Sequence, residues 1–333
     1  MAIVFSEGSG VANSVFGKSQ EPIKMFVEKK AEAWEAESAL PALFDMNPSK
    51  NFGEKITGMT SLNGMQPVEE GGAYPNDEME EGYSKTLVHT TFKDQFAITQ
   101  EMVEDAKLMD FKKKPAAFIA GAYRTRERFG ASILGGGMYG TTVTFGGKTF
   151  STAGADGKAM FATDHPNKVN GATQSNKYTN AFSVDALSYA ESDMQNRTDD
   201  NGNILALAPD TIVIPNSAVL KKEVFAAIGA DKDPATANNG FNYQFGRWNV
   251  IVWAYLNALV QGSDLPWILM DSKYNMESGG LVWFDRVKLR MRSVIDESND
   301  NNVWKGYARW SAGCADYRCL SVGGMSAGTT LAG

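Results

Sequence analysis

The sequence predicts an α+β fold whose last third is mostly strand, and three observations carry that prediction. Helical periodicity follows Pro115, strict alternation of charged and apolar residues follows Asp285, and six of the seven tryptophans lie after residue 247. A chain of 333 residues can bury a sizeable core, and 43% hydrophobic with 21% charged residues is an ordinary globular balance. No stretch reaches the roughly 18 apolar residues of a membrane helix, and residues 1–5 are too short for a signal h-region. A protein that is soluble and intracellular when made, with no membrane partner, is the expectation.

Residues 1–17 are rich in Gly, Ser and Ala without periodic spacing, and they read as an arm with no element of its own. Pro22 suits a first helical turn, and Ile23, Phe26, Val27, Lys30 and Trp34 then form one stripe of a helix to about residue 38. The other face carries Glu28, Lys29, Glu32 and Glu35, so this helix needs a second surface for its stripe. Residues 52–98 hold few bulky side chains and many turn formers, among them Gly53, Gly64, Gly71, Gly72 and Pro75. Tyr83, Lys85, Leu87, His89 and Thr91 alternate with smaller residues and lead to Phe92, Phe96 and Ile98, which predicts strand, loop and strand. So long an excursion with so little to bury is uncommon unless it is functional.

Its middle, residues 66–82, contains Glu69, Glu70, Asp77, Glu78, Glu80 and Glu81 and no Lys or Arg. Two readings stand: a solvated acidic loop, or a projecting arm that docks on a basic surface.

Thr99 caps a helix with Glu101 in its first turn, ending near residue 111 before Lys112, Lys113 and Lys114. Pro115 opens a longer helix with Phe118, Ala122, Phe129 and Ile133 on one face, stopped by Gly135 and about 30 Å long. Residues 138–179 read as irregular structure with hairpins. Ser183 caps a helix to about 197, residues 199–203 turn, 211–214 form an apolar strand, and Asn216 caps a helix through 228. Strands follow at 248–256, 266–271, 281–295, 303–312 and 317–322. The late tryptophans suit a packed β core, with subunit contacts as the other use.

A formal net charge of −7 argues against a surface that grips nucleic acid all over. Cys314, Cys319, His89 and His165 supply neither a disulfide framework nor a zinc set, so no metal or cofactor is expected. Gly135, Gly137 and Gly140 match a dinucleotide-loop spacing but follow a helix, which favours a helix stop and flexible connector. Asp199 opens a calcium-like run that has Ile204 where the loop needs Gly, and a plain turn is the better reading. Asp164 and His165 precede the turn-forming Pro166 with no nucleophile tied to them. An enzyme is the least favoured class.

The predicted order is arm and helix, two-stranded excursion, long helix, mixed α/β region, long hairpin and closing strand. It resembles the tailed-bacteriophage major capsid proteins of the Hong Kong 97 type, and among them most the Mu-like major head subunits. The run Phe96-Ala97-Ile98-Thr99-Gln100-Glu101 resembles family wording, as do Pro209-Asp210-Thr211-Ile212-Val213-Ile214-Pro215, Tyr307-Ala308-Arg309-Trp310-Ser311-Ala312-Gly313 and Asp316-Tyr317-Arg318. The resemblance implies an N-terminal arm over 1–50, an E-loop over 51–97, and a peripheral domain over 98–140 and 281–312 containing the spine helix and long hairpin. It implies an axial domain over 141–280 and 313–333. It further implies self-assembly as hexamers and pentamers into an icosahedral shell around double-stranded DNA, made in the host cytoplasm and ending in the virion. Implied partners are a portal, in some relatives a decoration protein, and a separate scaffolding protein, since no extra N-terminal scaffolding domain is evident. An encapsulin-like compartment shell is the first alternative and a soluble hydrolase the remote one.

By period 2, Arg286, Lys288, Arg290 and Arg292 share one strand face, and four like charges there need an answer. A neighbour's acidic tip or arm helix could supply it, which would make Trp34 and the six tip carboxylates contact residues; the rival is that this face or the Lys112 run meets the genome. Asn299 and Asp300 lie in a polar hairpin tip that resembles in position the family's loop at local three-fold axes. Lys85 and the asparagines at 299, 301 and 302 have the residue types of the family's covalent cross-link, but no spacing selects a pair and none is expected.

Overall fold

The computed structural model describes residues 3–6, 16–60, 62, 64–105, 108–169, 171–229 and 242–331, with the side chains of 6, 18, 19 and 108–112 outside that description. The arm is not bare: Val4–Ser6 (β1) is a strand. Helix α1 (Gly17–Glu37) begins a turn before the expected start and carries Pro22 inside it, with buried Phe16 anchoring its beginning. A short helix α2 (Leu40–Leu43) and strand β2 (Asp45–Pro48) close the arm.

The excursion splits in two. Strands β3 (Gly53–Met59) and β4 (Glu81–Val88) pair only with each other, whereas β5 (Thr90–Ile98) joins the main sheet. Thr99 caps α3 (Gln100–Glu104) by accepting from the Met102 amide at 3.3 Å. Helix α4 (Leu108–Tyr139) then runs straight through Pro115 and past Gly135, roughly 48 Å for its 32 residues. The glycines are packing residues, not a stop: an added Cβ on Gly135 would lie 2.6 Å from Leu259, on Gly136 2.7 Å from Val143, and on Gly137 2.7 Å from Met160.

Hairpin β6 (Thr142–Phe145) and β7 (Lys148–Ser151) turns on Gly146 and Gly147, both at positive φ as a primed turn requires. Strands β8 (His165–Pro166) and β9 (Thr173–Gln174) form a second small pair. Ser183 caps α5 (Val184–Gln195), β10 (Thr211–Ile214) is fully buried, and α6 (Ala218–Gly229) starts two residues after Asn216. After β11 (Asn249–Val252) come a 3-10 turn (Ala254–Ala258), β12 (Trp267–Met270) and α7 (Ser272–Ser278). The long hairpin β13 (Leu281–Asp296) and β14 (Asn301–Cys314) and then β15 (Leu320–Gly323) complete the chain.

Two cores result. The main sheet has the order β1-β13-β14-β5, and β1 and β2 both pair in parallel along the same edge of β13, at Arg290–Arg292 and Val282–Asp285 respectively. Helices α1 and α4 pack on its inner face, so the α1 stripe finds its second surface within the chain: Ile23, Val27 and Ala31 are buried, while Phe26 and Trp34 are half-buried and Lys30 is exposed. Trp283, Trp304, Trp310 and Trp253 fill this core, Trp283 touching Phe44, Phe129 and Trp310. The second core lies around the sheet β11-β10-β12-β15, where α5, α6 and Trp267 bury Ile212, Ile214 and Leu269.

Candidate assembly surfaces

The β3–β4 ribbon runs from Gly53 opposite Val88 to Met59 opposite Glu81, and the Thr60 amide still bonds the Glu80 carbonyl at 2.9 Å. Beyond that point the described residues of 62–80 have no strand or helix. Glu69, Glu70, Glu78, Glu80 and Glu81 are exposed; Asp77 is half-buried and accepts from the Gly64 amide at 3.3 Å. Glu81 pairs with exposed Lys55 at 3.4 Å.

The ribbon's base is tied to its own chain. Lys168 donates to the carbonyls of Glu81 and Gly82, and Lys85 to those of Ala153 and Cys314. Burial pushes the Lys85 ammonium below its ordinary pKa. Lys85 is therefore engaged with its own chain, and Asn302 is fully buried.

The basic strand face is real but not a simple alternation. Bulges between Asp285 and Val287 and between Val287 and Arg290 interrupt β13, leaving Arg286 half-buried and Lys288, Arg290 and Arg292 exposed. The register adds cations that the strand's own sequence did not single out. Tyr307 lies between Arg290 and Lys93, and Lys305 lies between Arg292 and Gln95. Reading the hairpin register across three strands would have found Lys93 and Lys305. None of Lys93, Lys288, Arg290, Arg292 and Lys305 forms a salt bridge among the described residues.

Asp285 faces the other way. Its carboxylate takes two bonds from Arg126, at 2.8 and 3.1 Å, and that guanidinium lies over Trp283 and Trp310. Trp34 sits against its own long helix, with Arg124 5.7 Å above its ring. Asn299 and Asp300 are exposed at the hairpin tip, Asp300 at φ +52, and neither approaches the acidic loop in a described contact. The side chain of Lys112 lies outside the described residues; Lys114 bonds the Ala97 carbonyl at 2.8 Å.

The catalytic-looking signals are structural. His165 is buried and stacked on Tyr317, with Nδ1 2.6 Å from Asp156 and Nε2 3.2 Å from Asn176; Asp164 instead pairs with Lys158. Asp199 folds its own turn by accepting from the Asn201 and Asn203 amides, both at 2.8 Å, and Asp200 pairs with Arg318 at 2.8 Å. Among the described residues no three His, Cys, Asp or Glu are placed to hold a metal, and no helix is long and apolar enough to cross a membrane.

A model of the phage capsid protein family matches residues 83–322, more than half of the chain. The chain belongs to the phage capsid protein family. No curated protein sequence matches it. Among solved structures, a chain of Mycobacterium phage Patience is 11% identical with TM-score 0.52, covering 93% of this chain and 89% of that one. A chain of Gordonia phage Cozz is 12% identical with TM-score 0.50, covering 87% of each. The capsid of an empty GTA particle is 12% identical with TM-score 0.48, covering 87% and 90%. The α+β fold of the Hong Kong 97 type is thus the fold of this capsid protein, and its role is that of a structural subunit of the capsid shell, not an enzyme. Neither the encapsulin-like nor the hydrolase alternative gains support.

Proposed function

We propose that this capsid protein is the major head subunit, forming hexamers and pentamers that close an icosahedral shell around double-stranded DNA. Assembly would occur in the host cytoplasm, with a separate scaffolding protein and a portal as partners. We infer a division into arm, E-loop, peripheral and axial parts, and the second core, built by α5, α6 and one face of β10 and β12, supports an axial part, while Val213, Ile268 and Val322 on the same sheet join it to the first core.

One observation carries the reading. The chain presents an acidic tip and a cationic sheet face, and among the described residues Glu69, Glu70, Glu78 and Glu80 of the tip and Lys93, Lys288, Arg290, Arg292 and Lys305 of the face form no salt bridge, while Glu81 pairs with Lys55. The ribbon's base is fastened to its own body while the tip carboxylates Glu69, Glu70, Glu78 and Glu80 stay exposed, and they meet the basic face of a second copy. Surface charges this close together repel unless countered, and pairing them between copies gives both register and specificity.

The test is a charge swap. Glu69, Glu70, Glu78 and Glu80 changed to Lys should stop shell formation in electron micrographs, and adding Arg290→Glu with Arg292→Glu should restore part of it. Shells at normal yield from the reversed tip alone would falsify this contact. If reversing Arg290 and Arg292 spares assembly and lowers only DNA retention, the basic face belongs to the genome.

A further inference from the structure

We propose that Tyr74, at the centre of the acidic tip, is an apolar anchor that enters a cavity beneath β5 of a second copy of this chain. The inference rests on the tip reaching a neighbour, and it adds what the tip grips there.

Tyr74 is 99% exposed, although tyrosine carries a large apolar body that gains by leaving water. It lies between Glu69 and Glu70 on one side and Asp77, Glu78, Glu80 and Glu81 on the other, the arrangement of an aromatic anchor inside a charged rim. The described residues around it, 64–73, 75 and 76, are exposed as well, while the ribbon base is held by Lys168 and Lys85.

The acceptor lies where two hollows of the main sheet meet. One is an apolar cavity of about 110 Å³ between α4 and the inner face, walled by Phe92, Phe118, Ala122, Leu289, Ala308 and Trp310. A closed apolar cavity of about 150 Å³ holds a benzene ring, so this smaller, open-mouthed one takes in part of one aromatic ring and leaves a phenol hydroxyl at its mouth. The other is the basic groove of the outer face, with Arg290, Arg292 and Lys305. Lys93 and Asp94 of β5 border both. Strand β5 is the end strand of the sheet order among the described residues, so both hollows border an edge that no further strand pairs with there. A ring in the apolar cavity brings its flanking carboxylates, three to seven residues away, within reach of the basic groove. Charge and shape then select the same occupant.

Two variants test this without disturbing the subunit. Tyr74 is exposed, so Tyr74→Ala leaves the fold alone. Gly121 lies in α4 at the cavity, and a Cβ there meets no atom within 4 Å, so Gly121→Met fills the cavity from a helical position that tolerates it. Purified subunits with scaffolding protein are titrated and shells counted by electron microscopy. Each variant should raise the subunit concentration needed for shells at least tenfold with an unchanged melting temperature, and Tyr74→Phe should restore assembly. Assembly at the wild-type concentration by either Tyr74→Ala or Gly121→Met overturns the proposal. The charge-reversed tip run alongside separates the two readings: if it blocks assembly while both of these variants assemble normally, only the anchor is wrong; if it also assembles normally, the tip contact itself is wrong.

Discussion

The main sheet and the β3–β4 ribbon adjoin in sequence and are opposite in burial. On the sheet's inner face Trp283, Trp304, Met291 and Ile98 are almost wholly removed from water; on the ribbon and its tip Phe52, Met59, Met65, Val68 and Tyr74 are exposed. On the sheet Asp285 is matched by Arg126, whereas Glu69, Glu70 and Glu80 of the tip stand exposed to solvent. The difference separates two kinds of region: the body buries its apolar side chains by its own contacts, and the ribbon leaves them in water, which is the surface the proposed contact between chains uses. His89 sits at their junction, between β4 and β5, with Ser49 at 2.8 Å on one ring nitrogen and Ser311 at 3.0 Å on the other.

The comparison breaks most readily at Trp283. Trp283→Ala removes a ring packed on Phe44, Phe129, Trp310 and Arg126, and should lower the unfolding free energy in urea by about 3–5 kcal/mol. Asp285→Ala leaves the Arg126 guanidinium, 8% exposed, without its counter-ion, and a loss of about 3 kcal/mol is expected in the same titration.

A smaller effect should appear at the junction as pH falls. Burial holds the His89 imidazole below its ordinary pKa, with Glu54 opposing and Arg309 and Arg286 assisting. The unfolded ring takes up its proton near pH 6.5 and the folded one only at lower pH. Stability from this residue is thus complete above about 6.5, declines as pH drops below it, and levels off beneath the folded value. His89→Gln should flatten that part of the melting-temperature profile; an unaltered slope would mean that another group sets it.

Smallest of all, in stability, is the tip. Replacing Glu69, Glu70, Glu78 and Glu80 by Gln should change the unfolding free energy by less than about 0.5 kcal/mol while shell yield falls sharply. A large loss of stability would erase the contrast between the two regions.

Much of the body was legible because its signals are local. Alternation located β13, an apolar run located β10, Thr99 and Ser183 announced their caps, and the late tryptophans announced the core. The misreadings came where tertiary packing overrode local rules. Gly135 reads as a helix stop, but Leu259, Val143 and Met160 press so closely on α4 that glycine is needed inside it. Pro115 reads as a start, and the helix already exists before it. The bare arm proved to hold β1, because three residues with no pattern of their own can complete a ladder that β13 already offers.

The candidate surfaces divide the same way. The acidic block of residues 66–82 was visible in composition alone, since it holds no Lys or Arg of its own, and so was the basic run on β13. That Lys93 and Lys305 join those arginines, that Asp285 turns inward to Arg126, and that a cavity opens beside them depended on strand register and bulges. Sequence determined the element types, the charge of the tip and the aromatic core, because each follows from neighbours along the chain. Tertiary structure decided which cations share a face and which helix glycines are packing contacts, because those follow from pairings across 200 residues that periodicity does not encode.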